Sequence, residues 1–332
     1  MRRFRLLELS AAVALALAPA AALAHGREHY GEPGWAIEPL AAILLALSVT
    51  VWTLGYARMA RTARGAIAPP FRLLCYWAAV TTLVLALFSP LDTRADSSFA
   101  WHMAQHLLLM LVAAPLLAAS NTHLIALFAL PLGPRRRLGR AVNVAPGVKS
   151  GASSRSAPLY AALAFILGLW LWHAPGMYDR ALAEPALHTI EHLTFLFTSA
   201  VFWRMVLTAG NRRLDGGSVI LLVTLVGLQG NLMAALITLA PRPIYAHYAI
   251  RELADQQIAG LLMWVPAGIA YIGSTVWAIL QLVGSGNQPT RRQRSTLRDS
   301  RVIIAPGPTA SASEVRLVTE RATDDRPPLL SP

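Results

Sequence analysis

Residues 101–120 read WHMAQHLLLMLVAAPLLAAS. The thirteen positions from Leu107 to Ala119 carry no polar side chain, and no charged residue interrupts the stretch. At a rise of 1.5 Å per residue, about 20 such residues span the hydrocarbon core of a bilayer. Only an element that satisfies its own backbone groups survives there, so the stretch reads as a membrane helix. Its polar end carries His102 and His106, four residues apart, which places both rings on one helix face about 6 Å apart along the axis. The fold is therefore sought among membrane helix bundles, and the chemistry among neutral imidazoles, the commonest protein metal ligands.

Similar apolar runs cover roughly 37–57, 72–90, 158–174, 186–208, 217–240 and 257–282. Together with 101–120 they predict an all-α, polytopic membrane bundle of seven spans. Hydrophobic residues make up 55% of 332 and charged ones 14%, a balance that excludes an ordinary soluble globule. The first two dozen residues are read separately. Arg2, Arg3 and Arg5 precede an Ala/Leu-rich stretch ending Ala22-Leu23-Ala24, the pattern of a secretory signal cleaved before His25. The expected organisation is a signal peptide over 1–24, a seven-helix domain over 25–284 and a tail over 285–332. That tail is rich in Arg, Ser, Pro and Asp and too polar to bury a core, so it is expected to be disordered.

Cationic side chains alternate between connections. Arg58, Arg61, Arg64 and Arg72, then Arg135, Arg136, Arg137, Arg140, Lys149 and Arg155, then Arg204, Arg212 and Arg213, then Arg291, Arg292, Arg294 and Arg298 fall on one side. The other side holds only Arg27, Arg94, Arg180, Arg242 and Arg251. The positive-inside rule makes the first set cytoplasmic, with an external amino terminus and an internal carboxyl terminus, as for a multi-pass protein of a bacterial-type inner (plasma) membrane. The net charge of +12 then reports topology, and nucleic acid is not implied. The Pro-, Gly- and Arg-rich connection over 131–157 reads as an orientation determinant.

Eight of the nine histidines fall on the external side by this topology, His123 being the exception. His188 and His192 repeat the four-residue spacing of His102 and His106, and two such pairs at matching depth favour ligation over packing. His173, ending the fourth span, and His247 lie at the same level. Met110 continues the His102–His106 face, and Met233 and Met263 lie about two turns below the external ends of their helices. Thioether with imidazole suits Cu(I) better than Cu(II), and oxygen-seeking Mg and Ca are not served. Asp255, at the start of the last span, either favours its own helix dipole or holds a metal-bound histidine in one tautomer. A mature terminus His25-Gly-Arg-Glu-His29 would add an amine and two imidazoles for copper. Cys75, the only cysteine, leaves no disulfide or thiolate cluster within one chain.

The segments HMAQHLLLMLVAAPLL, LWHAPGMYDRAL with HTIEHLTFLFTSAVFW, and DQQIAGLLMWVPAG resemble the signatures of the CtaG family of cytochrome c oxidase assembly factors, over roughly residues 35–282. The resemblance implies a membrane protein that matures haem-copper oxidase and supplies it with copper, partnered by oxidase subunits, periplasmic copper carriers and membrane lipid. It carries His102, His106, His173, His188, His192, Asp255 and Met263 over as the family's motif residues. Copper is the implied cofactor or cargo, and a metallochaperone rather than an enzyme the implied type. Three other readings stay open on the residues alone. His188-Thr-Ile-Glu191-His192 matches the HxxEH pattern of a zinc metallohydrolase. Facing histidines also suit a haem b electron carrier, and Gln229 and Asn231 in the sixth span suit a copper transporter.

Overall fold

A computed structural model describes residues 38–62, 70–137, 151–208, 216–248 and 253–286. The expected signal segment, His25 and His29, residues 138–150 of the 131–157 connection and nearly all of the tail lie outside the described residues. The chain divides into two units, residues 1–282 and 283–332.

Among the described residues the structure is helical, without strands. The helices are α1 (Pro39–Thr62), α2 (Pro70–Phe88), α3 (Pro90–Ala95), α4 (Phe99–Ala119), α5 (Thr122–Phe128), α6 (Gly151–Trp172), α7 (Pro175–Ala183), α8 (Pro185–Leu207), α9 (Gly216–Leu239) and α10 (Leu253–Gly286). Six of them, α1, α2, α4, α8, α9 and α10, are each long and apolar enough to cross a membrane. A seventh span exists if α6 and α7 are counted as one, and these meet at a bend of 76°. The protein is thus a multi-pass membrane protein, and the expected run 158–174 is helical to Trp172, with a break at its end that separates it from α7. Pro175 explains the break, because the residue before a proline is driven out of the helical region. Ala174 accordingly sits at φ −64°, ψ 127°. Large apolar side chains point outward along every span, among them Leu167, Phe197, Leu239 and Ile269 at 65–74% exposure. Such a surface belongs in lipid rather than water.

Two packed cores lie inside. One joins α1, α2, α5 and part of α4 around Trp52, whose ring stacks on Tyr76 at 3.8 Å. The other joins α4 with α6 to α10. Without a hydrophobic drive in lipid, close backbone approach holds such helices together. Gly55 on α1 meets the Ile125 carbonyl of α5, and Gly260 on α10 meets Thr238 of α9, contacts a Cβ at either glycine would invade.

Helix α4 changes pitch midway, with a π-helical stretch over Leu108–Ala113. The Ala114 amide reaches back five residues to the Leu109 carbonyl. Pro115 has no N–H with which to continue that pattern to Met110. The Met110 carbonyl bonds to α8 instead, accepting from Ser199 Oγ at 2.8 Å and Trp203 Nε1 at 2.7 Å. The proline therefore converts a lost helical bond into a clamp between α4 and α8, directly below the histidines.

Candidate metal centre

At one end of the bundle, where α4, α8 and α10 begin and α6 stops, His102, His106, His188 and His192 converge. One nitrogen from each can be chosen so that all four lie within 4.8 Å of one another. Ring centroids are 4.3 Å apart for His102 and His106, 4.2 Å for His188 and His192, and 5.2 Å for both His102 to His188 and His106 to His192. The two HxxxH pairs thus meet ring to ring across the α4–α8 contact. His102 is 0% and His106 1% exposed, and His192 is buried as well.

These nitrogens are short of partners. His102 Nε2, both ring nitrogens of His106, and His192 Nε2 are buried without a hydrogen bond. A buried polar atom left so costs about 1–3 kcal/mol, and a protein gathers several only where something else satisfies them. Tyr248 Oη lies 3.4 Å from His102 Nδ1 while donating to the Ala95 carbonyl at 2.6 Å. Burial pushes the Tyr248 phenol well above its ordinary value, as it does that of Tyr245, so both stay neutral donors at the site's roof.

His173 stands beside this group, its ring centroid 6.3 Å from that of His106. It is held by two bonds at the break in the span. Its Nδ1 is 2.8 Å from the Leu169 carbonyl, which can only accept, so Nδ1 carries the proton and Nε2 the lone pair. Tyr245 donates to the His173 carbonyl at 3.0 Å. Nε2 is buried and unpartnered. The bend at Pro175 is what turns this ring toward α4 and frees the backbone carbonyl that Tyr245 takes.

Asp255 lies outside the imidazole group. Its carboxylate accepts from Ser98 Oγ at 2.7 Å, the Phe99 amide at 2.7 Å and the Ala100 amide at 3.3 Å. It closes the amino-terminal end of α4, the helix that carries His102 and His106, rather than its own helix. Met110 and Met263 are buried, and both face a cavity beside His106 and His173. Met233 is buried in the same core but does not line that cavity. His247 is exposed, its Nε2 3.3 Å from the Asp96 carbonyl, and it does not join the four rings. His25 and His29 lie outside the described residues.

Several residues at the site are not singled out as site residues by the sequence. Glu191, which the sequence shows only as the glutamate of the HxxEH match, is 0% exposed with Oε1 3.9 Å from His106 Nε2. Both its oxygens lack hydrogen-bond partners. Gln105, also 0% exposed, donates to the Ala86 carbonyl at 2.8 Å and to Asp92 at 2.7 Å, tying α4 to α2 and α3. Glu38 caps α1 through the Leu40 and Ala41 amides and accepts from Thr189 of α8 at 3.4 Å, one residue from His188. Tyr178 packs against Tyr245 with centroids 4.1 Å apart, completing an aromatic roof with Phe99 and Tyr248. A run of apolar and polar letters does not say which of its polar members face inward, and these face inward.

The family model described as cytochrome c oxidase caa3 assembly factor matches residues 50–285. No curated protein matches the chain, nor does any solved structure.

Proposed function

We propose, for a chain that belongs to the cytochrome c oxidase caa3 assembly factor family, that it binds a copper ion at His102, His106, His188 and His192 and passes it to the haem-copper oxidase it helps to assemble. The observation that carries this reading is the convergence of four imidazoles from two helices, one nitrogen of each lying within 4.8 Å of the others. A single ion satisfies such a set at one point. The rings crowd together with centroids 4.2–6.3 Å apart and do not flank a slot, which favours an ion over a haem macrocycle. Imidazole nitrogen accepts copper in either oxidation state, and the thioethers nearby tilt the choice to Cu(I).

Copper is here a cargo, and the chain's work is to hold and release it. Uptake forms metal–nitrogen bonds to neutral rings, and release exchanges them one by one for ligands on the acceptor, with no covalent bond of the protein made or broken. Asp255 and Gln105 fix the helix that presents His102 and His106, and the Tyr248 hydroxyl beside His102 Nδ1 orients that ring. The distribution of loop charges supports an orientation with this end of the bundle outside the cytoplasm, and in a bacterial-type plasma membrane a periplasmic carrier would meet it there. A signal peptide over 1–24 and a cytoplasmic tail from 285 complete the proposed organisation.

The test is the copper content of detergent-purified protein, wild type against a His102→Ala, His106→Ala double variant. The wild type should hold copper and the variant lose it while remaining helical; equal copper in both defeats the ligand assignment.

A further inference from the structure

Beside the four-ring group lies a cavity of about 30 Å³, bounded by the side chains of Met103, Met110, Met263, His106 and His173. That volume exceeds the 10–15 Å³ needed for one water-sized occupant. Of these residues only His106 belongs to the four-ring group. Met103 and Met110 stand on α4 two turns apart, on either side of His106, and Met263 faces them from α10. All three thioethers are buried, with Met103 at 0% exposure. His173 Nε2 and both nitrogens of His106 are buried and unpartnered. The rest of the lining is apolar apart from Tyr271, and no carboxylate lies among the lining residues.

This chemistry selects one class of ligand. Magnesium and calcium need oxygen, and zinc is drawn to imidazole, carboxylate or thiolate rather than thioether. Thioether sulfur with neutral imidazole suits a soft monovalent cation such as Cu(I) or Ag(I). Buried methionines often serve only as adaptable packing. Here three border one cavity together with the free nitrogen of a ring whose other nitrogen is already committed.

We propose that the cavity is a second soft-cation site, formed by the Met103, Met110 and Met263 thioethers with His173 Nε2, and joined to the four-imidazole position through His106. The site stands on the cavity and its lining, while its part in copper handling rests on the proposed function. An ion moves between the positions by exchange of ligands. Bonds to His102, His188 and His192 break as bonds to sulfur and His173 form, His106 staying bound throughout, and the cation remains monovalent. The all-nitrogen position receives the ion, and the sulfur-rich one holds it as Cu(I).

The experiment titrates Ag(I), a redox-inert soft cation, into full-length protein in detergent. It then reads stoichiometry and, by X-ray absorption, the ligand atoms. Wild type should take up two equivalents, one with sulfur neighbours and one with nitrogen alone. A Met103→Leu, Met110→Leu, Met263→Leu variant, whose swaps conserve volume, should lose the sulfur signal and one equivalent. A His102→Ala, His188→Ala variant should lose the other equivalent and keep sulfur. Absence of sulfur neighbours in wild type overturns the proposal without any variant, which covers the case of a triple variant that fails to fold. A single equivalent carrying both sulfur and nitrogen from all four rings overturns it too, as does full uptake by the leucine variant. Loss of the sulfur equivalent alone, with none found on the four rings, supports this site and defeats the proposed function at the imidazoles.

Discussion

Asp255 shows what one side chain does for a site it does not enter. Its carboxylate accepts from Ser98 Oγ and from the Phe99 and Ala100 amides, meeting donors that the first turn of α4 would otherwise leave without partners. A carboxylate there also faces the positive end of that helix. Asp255→Ala should therefore destabilise the protein by about 1 kcal/mol, as loss of a helix cap does, and lower its thermal midpoint in detergent. It should leave metal stoichiometry unchanged, whereas a ligand role would remove metal outright. At this scale His102, His106, His188 and His192 are legible as pairs from their spacing. Gln105 is not, and the burial of Glu191 is not, because burial is a property of the neighbours a helix face acquires. His173 is legible by its level in the span, but the availability of its Nε2 is not, since that follows from Leu169 occupying its Nδ1.

Elements were legible where their causes are local. Apolar runs of about 20 residues mark six spans in close agreement with α1, α2, α4, α8, α9 and α10, with ends displaced by a few residues where prolines and caps act. The fourth expected run, 158–174, is helical to Trp172, and the 76° bend to α7 falls at its end, just before Pro175. The π-helical stretch of α4 has its cause in Pro115, yet its partners, Ser199 and Trp203, lie far along the chain. Packing between elements is equally concrete. A Cβ on Gly260 would stand 2.8 Å from the Thr238 amide nitrogen and 3.0 Å from the Ala234 carbonyl oxygen, and backbone atoms do not yield cheaply. Gly260→Ala should force α9 and α10 apart, at a cost of about 1–3 kcal/mol. Gly273→Ala, on the same helix with nothing within 4 Å of the added Cβ, is the matched control and should leave the unfolding midpoint in place or raise it.

Among the described residues, most of the arginines fall at one end of the bundle and every histidine but His123 at the other. Arg58 bonds the Ala129 carbonyl and Arg204 bonds Asn121 Oδ1 at the end away from the four rings. If that end is cytoplasmic, reporter fusions after residues 137 and 286 should report the cytoplasm, and an insertion between residues 241 and 244 the opposite compartment. The reverse pattern would move the proposed site away from a periplasmic copper source.

Sequence alone determined that this chain is a bundle of membrane helices with two HxxxH pairs at one end, and that it resembles an oxidase assembly factor. Hydropathy, spacing and motif order are properties of contiguous residues, readable without knowing what each helix touches. Tertiary structure alone decided that the two pairs face each other, that Asp255 caps the helix of the first pair, and that Met103, Met110 and Met263 share a cavity with His173. Each of these joins segments far apart in the chain. Their meeting depends on where small residues such as Gly260 let helices close and where Pro115 and Pro175 turn them, and hydropathy along a single strand of letters carries no record of that.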